Sequence, residues 1–386
     1  MTKVNFAING TFRYHRYVKH FAEAGYLNRL YYAHRISTTA AAIGLSEEQA
    51  VNIFWKEYLL AAHLRYLKPS NTPRWYQFYS QMFQSAVLKR WSPADITQVV
   101  IGGISDRIVA RAKADGGRVI GHSVTPHLNE HFAILNNEAD KFGTSRTSLP
   151  SAAIDQYKAE LAGSDLILVD SKYSQRSFVE RGIPPERIVR LMPGNDEMHF
   201  FPPADNEPSP LDTGVFRVIC VAGVCLRKGQ RYLLDAWRKL NLPNAELLLV
   251  GGLSHESRKI LKPFAGGFRH IEHVPNHELR RYLGASSVFV LPTLSDGFPQ
   301  VIPEALACGV PVITTENCGS ADLISDGQNG FVVSVCDSDA LAECILRLYD
   351  NADLRKSMGQ AARLTVKSQN GWKNYARDLC HLYDRF

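Results

Sequence analysis

The sequence predicts an α/β fold of two Rossmann-like domains facing across a cleft. Three observations carry this. Short apolar runs (VNFAI, LILVDS, RVICVAG, LLLVGG) alternate with longer amphipathic stretches, the pattern of parallel sheets wrapped by helices. The alternation breaks once, from Pro193 to Pro210, in PGNDEMHFFPPADNEPSP, whose prolines and polar residues read as a linker. The chain has 386 residues, more than one core commonly holds. Residues 1–195 form the expected first domain and 196–370 the second.

The elements follow in order. Val4 to Ile8 reads as the first strand and Asn9-Gly10-Thr11 as its loop. FRYHRYVKHFAEAG reads as a helix that Gly25 ends, and LNRLYY as the next strand. Residues 40 to 95 read as mostly helical and are rich in aromatic and basic side chains. TQVVIGG and RVIGHS are strands, each followed by a helical stretch, the second a long one. SDLILVDS precedes the helix YSQRSFVERG, and IPPERIVRLMP closes the half. After the linker come the strands FRVICVAG, AELLLVGG, VFVLPT, VPVITT and FVVSV. The helices QRYLLDAWRKL, HELRRYLGAS, VIPEALACG and SDALAECILRLYD lie among them. In such sheets ligands bind beyond the carboxyl ends of the strands.

Composition removes several function classes. No apolar run is long enough to span a membrane, and the start MTKVNFAING lacks a signal peptide's core. Seven cysteines, none before Cys220 and none in CxxC spacing, suggest neither a zinc site nor a disulfide framework. A reducing cytoplasm is expected. The net charge of +6 suits anionic partners, whether nucleotides, acidic lipid surfaces or nucleic acid, and selects none of them. Without GxxxxGK[ST] or GxGxxG, a P-loop ATPase or NAD enzyme has no support. Asp337-Ser338-Asp339 looks like a metal-binding DxD but reads better as a helix cap. The stretch from Arg65 to Trp91 has three readings: packed core, acceptor site or lipid-surface contact.

The chemistry concentrates in SDGFPQVIPEALACGVPVIT, residues 295–314. Gly297 and Pro299 prevent one helix from running through both Asp296 and Glu304. Asp296 is then on a loop at a strand's carboxyl end, and Glu304 is in the first turns of the next helix. Carboxylates accept hydrogen bonds from vicinal diols, and nearby free N–H groups bind anionic oxygens. The pattern suits a ligand that carries both hydroxyl and phosphate groups.

This stretch resembles the signature of retaining nucleotide-sugar glycosyltransferases of family 4, which have the GT-B fold. AGVCLRKGQRYLLDAW, the crossover DLILVDSKYSQRSFVERGIPPERIVRLMPGNDEMHFFP, NCGSADLISDGQNGFVV and the opening NGTFRYHRYVKHFAEAG resemble further family segments in the same order. The resemblance implies that Glu304 holds the nucleotide ribose and that Asp296 lies at the donor sugar. It implies that the backbone of Gly297, Phe298 and Pro299 helps hold sugar and diphosphate, although Pro299 has no N–H. Lys228 matches the diphosphate-contacting Lys, and Gly10 the glycine of the first loop. His122 and His127 both qualify for the His beside the donor sugar. The chain departs from the pattern twice. Asp replaces the usual Glu at 296, and Gly223 stands where an Arg is usual, with Arg227 the candidate substitute.

The implied function is transfer of a sugar from a UDP- or GDP-type donor, with retention, to a glycan, lipid-linked or small-molecule acceptor. Surface polysaccharide or glycoconjugate assembly is the expected setting. No cofactor, metal or nucleic acid is expected. The expected location is cytoplasmic, with peripheral contact at the membrane's inner face through the first domain. The last stretch, 371–386, is expected to cross back onto the first domain. Two alternatives stay open: a sugar-nucleotide-binding homologue with little or no turnover, and a GT-B nucleotide-sugar epimerase.

Overall fold

The computed structural model describes residues 2–10, 13–34, 44–66, 72–196, 199–204, 207–253, 255–367 and 371–386. Thr11 of the first loop, residues 67–71 of the aromatic stretch and parts of the linker (197–198, 205–206) lie outside these.

The first half builds β1 (Val4–Ile8), β2 (Leu27–Tyr32), β3 (Ala50–Asn52), β4 (Ile96–Val100), β5 (Arg118–Ser123), β6 (Leu166–Val169) and β7 (Ile188–Arg190). They form one parallel sheet in the order β3-β2-β1-β4-β5-β6-β7. Its helices are α1 (Val18–Glu23), α2 (Phe54–Tyr66), α3 (Thr72–Lys89), α4 (Asp106–Ala114), α5 (Leu128–Lys141), α6 (Ser151–Gly163) and α7 (Lys172–Val179). The second half builds β8 (Phe216–Val221), β9 (Ala245–Val250), β10 (Arg269–Ile271), β11 (Val288–Leu291), β12 (Val312–Thr315) and β13 (Gly330–Val333). They pair in the order β10-β9-β8-β11-β12-β13, again all parallel. α8 (Gln230–Leu240), α9 (His255–Leu261), α10 (Asn276–Gly284), α11 (Val301–Ala307), α12 (Ser338–Asp350) and α13 (Ala352–Lys367) go with this sheet, and α14 (Trp372–Arg385) ends the chain.

Strands covered on both faces read as continuous apolar runs. Val288, Phe289, Val290 and Leu291 are all fully buried, as that rule requires. α14 packs on the first half: Tyr375, Leu379 and Tyr383 share a core with Phe6 and Phe21. Each such buried side chain contributes about 1.5–3 kcal/mol.

Each sheet reverses its strand order once, where β1 meets β4 and where β8 meets β11. Loops diverge at these points and leave a crevice beyond the strand ends. The two crevices face each other across the cleft, which is the GT-B architecture.

Four readings need correction. Residues 12–25 are not a single helix: Arg13–Arg16 is a 3-10 turn and α1 starts only at Val18. Three residues per turn stack Arg13 over Arg16, and both engage partners: Arg13 donates to the Phe298 carbonyl and Arg16 pairs with Asp196. The long helix after β5 is two, α5 and α6, parted by Gly143 at φ +60 and by Pro150. β3 lies inside the stretch read as mostly helical, and β10 lies where no strand is legible. Both have three residues, too few to display a period.

Candidate active site

The second sheet's reversal point is built from the loops after β8 and β11. Leu226–Lys228 forms a 3-10 turn closed by Gly229 at φ +68. A Cβ on Gly229 would come within 1.9 Å of the Pro292 carbonyl oxygen, so only glycine lets this turn lie against the end of β11. The Arg227 carbonyl accepts from the Leu294 N–H at 2.8 Å and the Thr293 hydroxyl at 3.0 Å, which joins the two loops. The adjacent side chains of Arg227 and Lys228 then converge: both reach the same oxygen, Oδ2, of Asp296, Arg227 at 3.0 Å. Burial by itself pushes the Asp296 carboxyl up, but the Lys228 and Arg227 charges outweigh it and hold it below its ordinary value.

The Asp296 loop is pinned on both sides. Its N–H donates to the Asn317 carbonyl at 3.0 Å, and its carbonyl accepts from the Gly319 N–H at 2.9 Å. The carbonyls of the next three residues all face protein donors. Gly297 accepts from the Ser171 hydroxyl at 2.8 Å, Phe298 from Arg13, and Pro299 from the Ser320 hydroxyl at 2.9 Å. Among the described residues, the N–H groups of Gly297 and Phe298 have no such partner. Gly297 also touches the first domain, where a Cβ would come within 2.1 Å of the Val124 carbonyl oxygen. The Phe298 ring is buried in the second domain's core.

Glu304 is on α11. Pro303 is tolerated one residue before it because N–H groups of a helix's first turn have no intrahelical acceptor. Among the described residues, the Glu304 carboxylate forms no hydrogen bond or ion pair. Burial pushes its pKa up to about 7, opposed by Arg16 and Arg13 and reinforced by Asp196.

Across the cleft, Gly10 follows β1, its N–H turned back to the Ile8 carbonyl at 2.9 Å. His122, on β5, points its Nε2 at Asp170 Oδ1, 2.8 Å away. The second oxygen of Asp170 lies 3.9 Å from Arg13. These three groups line a cavity of about 220 Å³ together with Tyr17 and Trp372, the latter from α14. His127 is placed differently, which separates two histidines that the sequence leaves together. Its Nδ1 caps α5 by accepting from the Asn129 N–H, and its ring packs edge-on against Tyr157 and Phe178. Burial, helped by Arg181, lowers its pKa to about 4, so the ring is a neutral structural cap.

Sequence reasoning missed several groups. His131 of α5 meets Ser295 at 2.8 Å, and Tyr173 donates to the same hydroxyl at 3.1 Å, both from the opposite domain. Burial, with Arg227 nearby, lowers the His131 pKa to about 4. Asp170 had a readable signal, an acid directly after the apolar strand LILV. Arg13 and Arg16 had one too, at i and i+3 after a glycine loop. His131 had none, because its partner is 164 residues away. Asp337 caps α12, accepting from the Asp339 and Ala340 N–H groups at 3.0 and 2.8 Å.

Two facing parallel sheets, with charged loops at both reversal points, define a GT-B protein. Within it, residues 203–365 match the family described as glycosyl transferases group 1. The chain is 27% identical over 238 residues to the GDP-mannose-dependent alpha-(1-6)-phosphatidylinositol monomannoside mannosyltransferase of Mycolicibacterium smegmatis, covering 57% of this chain and 62% of that protein. It is 24% identical over 340 residues to the putative colanic acid biosynthesis glycosyltransferase WcaL of Escherichia coli, covering 78% and 80%. The first curated relatives are thus matched over about three fifths of their length. Among solved structures, sucrose-phosphate synthase from Thermosynechococcus elongatus superposes with a TM-score of 0.72 at 18% identity, over 99% of this chain and 98% of that one. Anabaena HepE in complex with UDP and glucose gives 0.71 at 14% identity, over the whole of both chains.

Proposed function

We propose that the chain transfers a sugar from a nucleoside diphosphate sugar to a hydroxyl of a glycan or lipid-linked acceptor, with anomeric configuration retained. The observation that carries this reading is the convergence of Lys228 and Arg227 on Asp296 at the β8–β11 reversal point. The donor's diphosphate takes over both cations, which frees Asp296 to accept hydrogen bonds from the donor sugar. The N–H groups of Gly297 and Phe298 bind the same ligand, and Glu304 accepts from the ribose hydroxyls. The bond between the anomeric carbon and the diphosphate oxygen breaks. The acceptor oxygen bonds to the same face, and its proton passes to the departing diphosphate. Lys228 and Arg227 stabilise the charge that develops, work that a metal does in other transferases. His122, oriented by Asp170, faces the cavity in which the sugar ring is held. The contacts of Ser295, Gly297 and Phe298 with the first domain close the cleft and exclude water.

The relatives' names support a nucleotide-sugar donor and favour GDP-mannose as the first to test. Transfer to polysaccharide and lipid acceptors by those relatives supports the acceptor class. The reading of a binding homologue rests on Asp296 and Gly223, and Arg227 answers only the second by supplying the charge that Gly223 lacks. The test is incubation with GDP-mannose or UDP-glucose and NMR detection of the released or transferred sugar. An α-anomer product supports retention, a β-anomer rejects it, and binding without turnover favours the inactive homologue. EDTA leaves the rate unchanged on this account; loss of rate that added metal restores would reject the metal-free step.

A further inference from the structure

Among the described residues, seven of the twelve strongly exposed large apolar side chains fall on the hairpin of α2 and α3. They include Tyr58, Leu59 and Tyr66 from α2, and Trp75, Tyr76 and Phe78 from α3, with Tyr66 75% and Phe78 51% exposed. On α2, positions 58, 59 and 66 share one helical face, and Leu60 faces inward. Scattered exposed apolar residues need no explanation, but a cluster on one hairpin does. Four of the six are Tyr or Trp, the amphipathic rings that favour a boundary between water and hydrocarbon.

Charge specifies what covers this face. Between Phe54 and Trp91 the sequence carries six Lys and Arg and a single acid, Glu57. Glu57 is already paired with the buried Lys56. The surplus on this stretch therefore nearly equals the whole chain's net charge of +6. α3 itself contains no Asp or Glu. No described helix is long and apolar enough to cross a membrane. Among the described residues, Arg65, Lys89 and Arg90 of this stretch form no ion pair with an acid, and exposed aromatics beside such cations fit an anionic bilayer surface. The hairpin is also tied to the cleft. Lys56 Nζ donates to the Asn9 side chain at 2.7 Å, and Asn9 donates to the Ser80 hydroxyl at 2.7 Å, which clamps both helices to the loop before Gly10.

We infer that the α2–α3 hairpin docks on an anionic lipid surface and so sets the mouth of the cleft against the bilayer, where a lipid-linked acceptor hydroxyl is presented. The docking stands by itself; the lipid-linked acceptor rests on the transferase reading above. The test is flotation of the full chain with phosphatidylcholine vesicles with or without about a third phosphatidylglycerol. We expect binding to the anionic vesicles alone, weakening as salt is added. The double variant Tyr66→Ser/Phe78→Ser is expected to lose about tenfold or more in partitioning, with unchanged circular dichroism and unchanged nucleotide affinity. Phe201→Ser, exposed elsewhere, is expected to partition as the wild type does. No binding to either vesicle, or equal binding to both, overturns the proposal. So does a concentration-dependent dimer that the double variant abolishes, which would make the face a contact between two copies of the chain. Vesicle binding without nucleotide binding would leave the docking intact and remove the transferase reading.

Discussion

The reversal points of the two sheets share a topology and differ in how they treat negative charge. In the first sheet, the loop after β4 aims four N–H groups, those of Gly102, Gly103, Ile104 and Ser105, at one place. The buried carboxylate of Glu160, from α6, fills that place at 2.5–2.7 Å. In the second sheet, Lys228 and Arg227 hold Asp296, a carboxylate on a loop that borders the cleft. One anion site is occupied permanently by the chain itself. The other holds an exchangeable ion pair whose cations a phosphate can claim. A Rossmann-like half therefore does not imply a nucleotide site; what matters is whether an internal carboxylate is locked into the anion-binding loop.

The largest effect expected from this contrast is on stability. Glu160→Ala leaves four N–H groups, two of them buried, without an acceptor and should cost about 3–5 kcal/mol, read as a lower midpoint in urea. Added sulfate should restore part of the loss. A shift under about 1 kcal/mol would show that water satisfies the loop equally well. At the second reversal point the effect should fall on rate. Lys228→Ala should reduce turnover by about 10²–10³-fold, because charge that develops in reaction loses a cation, while Arg227 still pairs with Asp296 and limits the change in thermal midpoint. Arg227→Ala should cost less, and the double variant should fall short of the sum, since both cations act on the same group. Additive losses would mean that the two act separately.

Glu304 sharpens the contrast through pH. Its carboxyl titrates near 7 when folded and near its ordinary value when unfolded, so between these the folded chain holds an extra proton. Stability should therefore fall as pH rises toward about 7, and Glu304→Gln should flatten that slope. Nucleotide affinity should move the opposite way, rising with pH to a plateau above about 7, because the carboxylate is the form that accepts the ribose hydroxyls. A flat affinity profile between pH 5 and 8 would reject the ribose assignment. The smallest effect expected is from His131→Ala, which removes one contact across the cleft. It should raise KM by about two- to tenfold and leave kcat nearly unchanged. A change in kcat alone would give His131 a different role.

How much of this was legible in the sequence depended on the range of each interaction. Both sheets were readable because buried parallel strands such as VFVL and LILV write themselves as apolar runs. Strands of three residues at the sheet edges were not, and neither was the 3-10 turn that aims Arg13 and Arg16. Asp296 and Glu304 stood out because local backbone signals surround them, Gly-Phe-Pro and a short helix with an early proline, whereas Lys228 was marked only by the family resemblance of AGVCLRKGQRYLLDAW. That Arg227 faces the same way as Lys228 follows from the 3-10 turn and its carbonyl bonds to residues 293 and 294, which no local pattern reveals. His122 and His127 could not be ranked from sequence because capping and ring packing, the features that set His127 aside, depend on tertiary neighbours. Glu160 escaped notice for the same reason, its partners lying 55–58 residues away.

The most direct test of the central claim is calorimetric titration of the wild-type chain and of Glu304→Ala with GDP, UDP and GDP-mannose. The account predicts that one nucleotide binds the wild type and binds the variant about tenfold more weakly. No binding of any nucleotide, or equal affinity for both proteins, would contradict it.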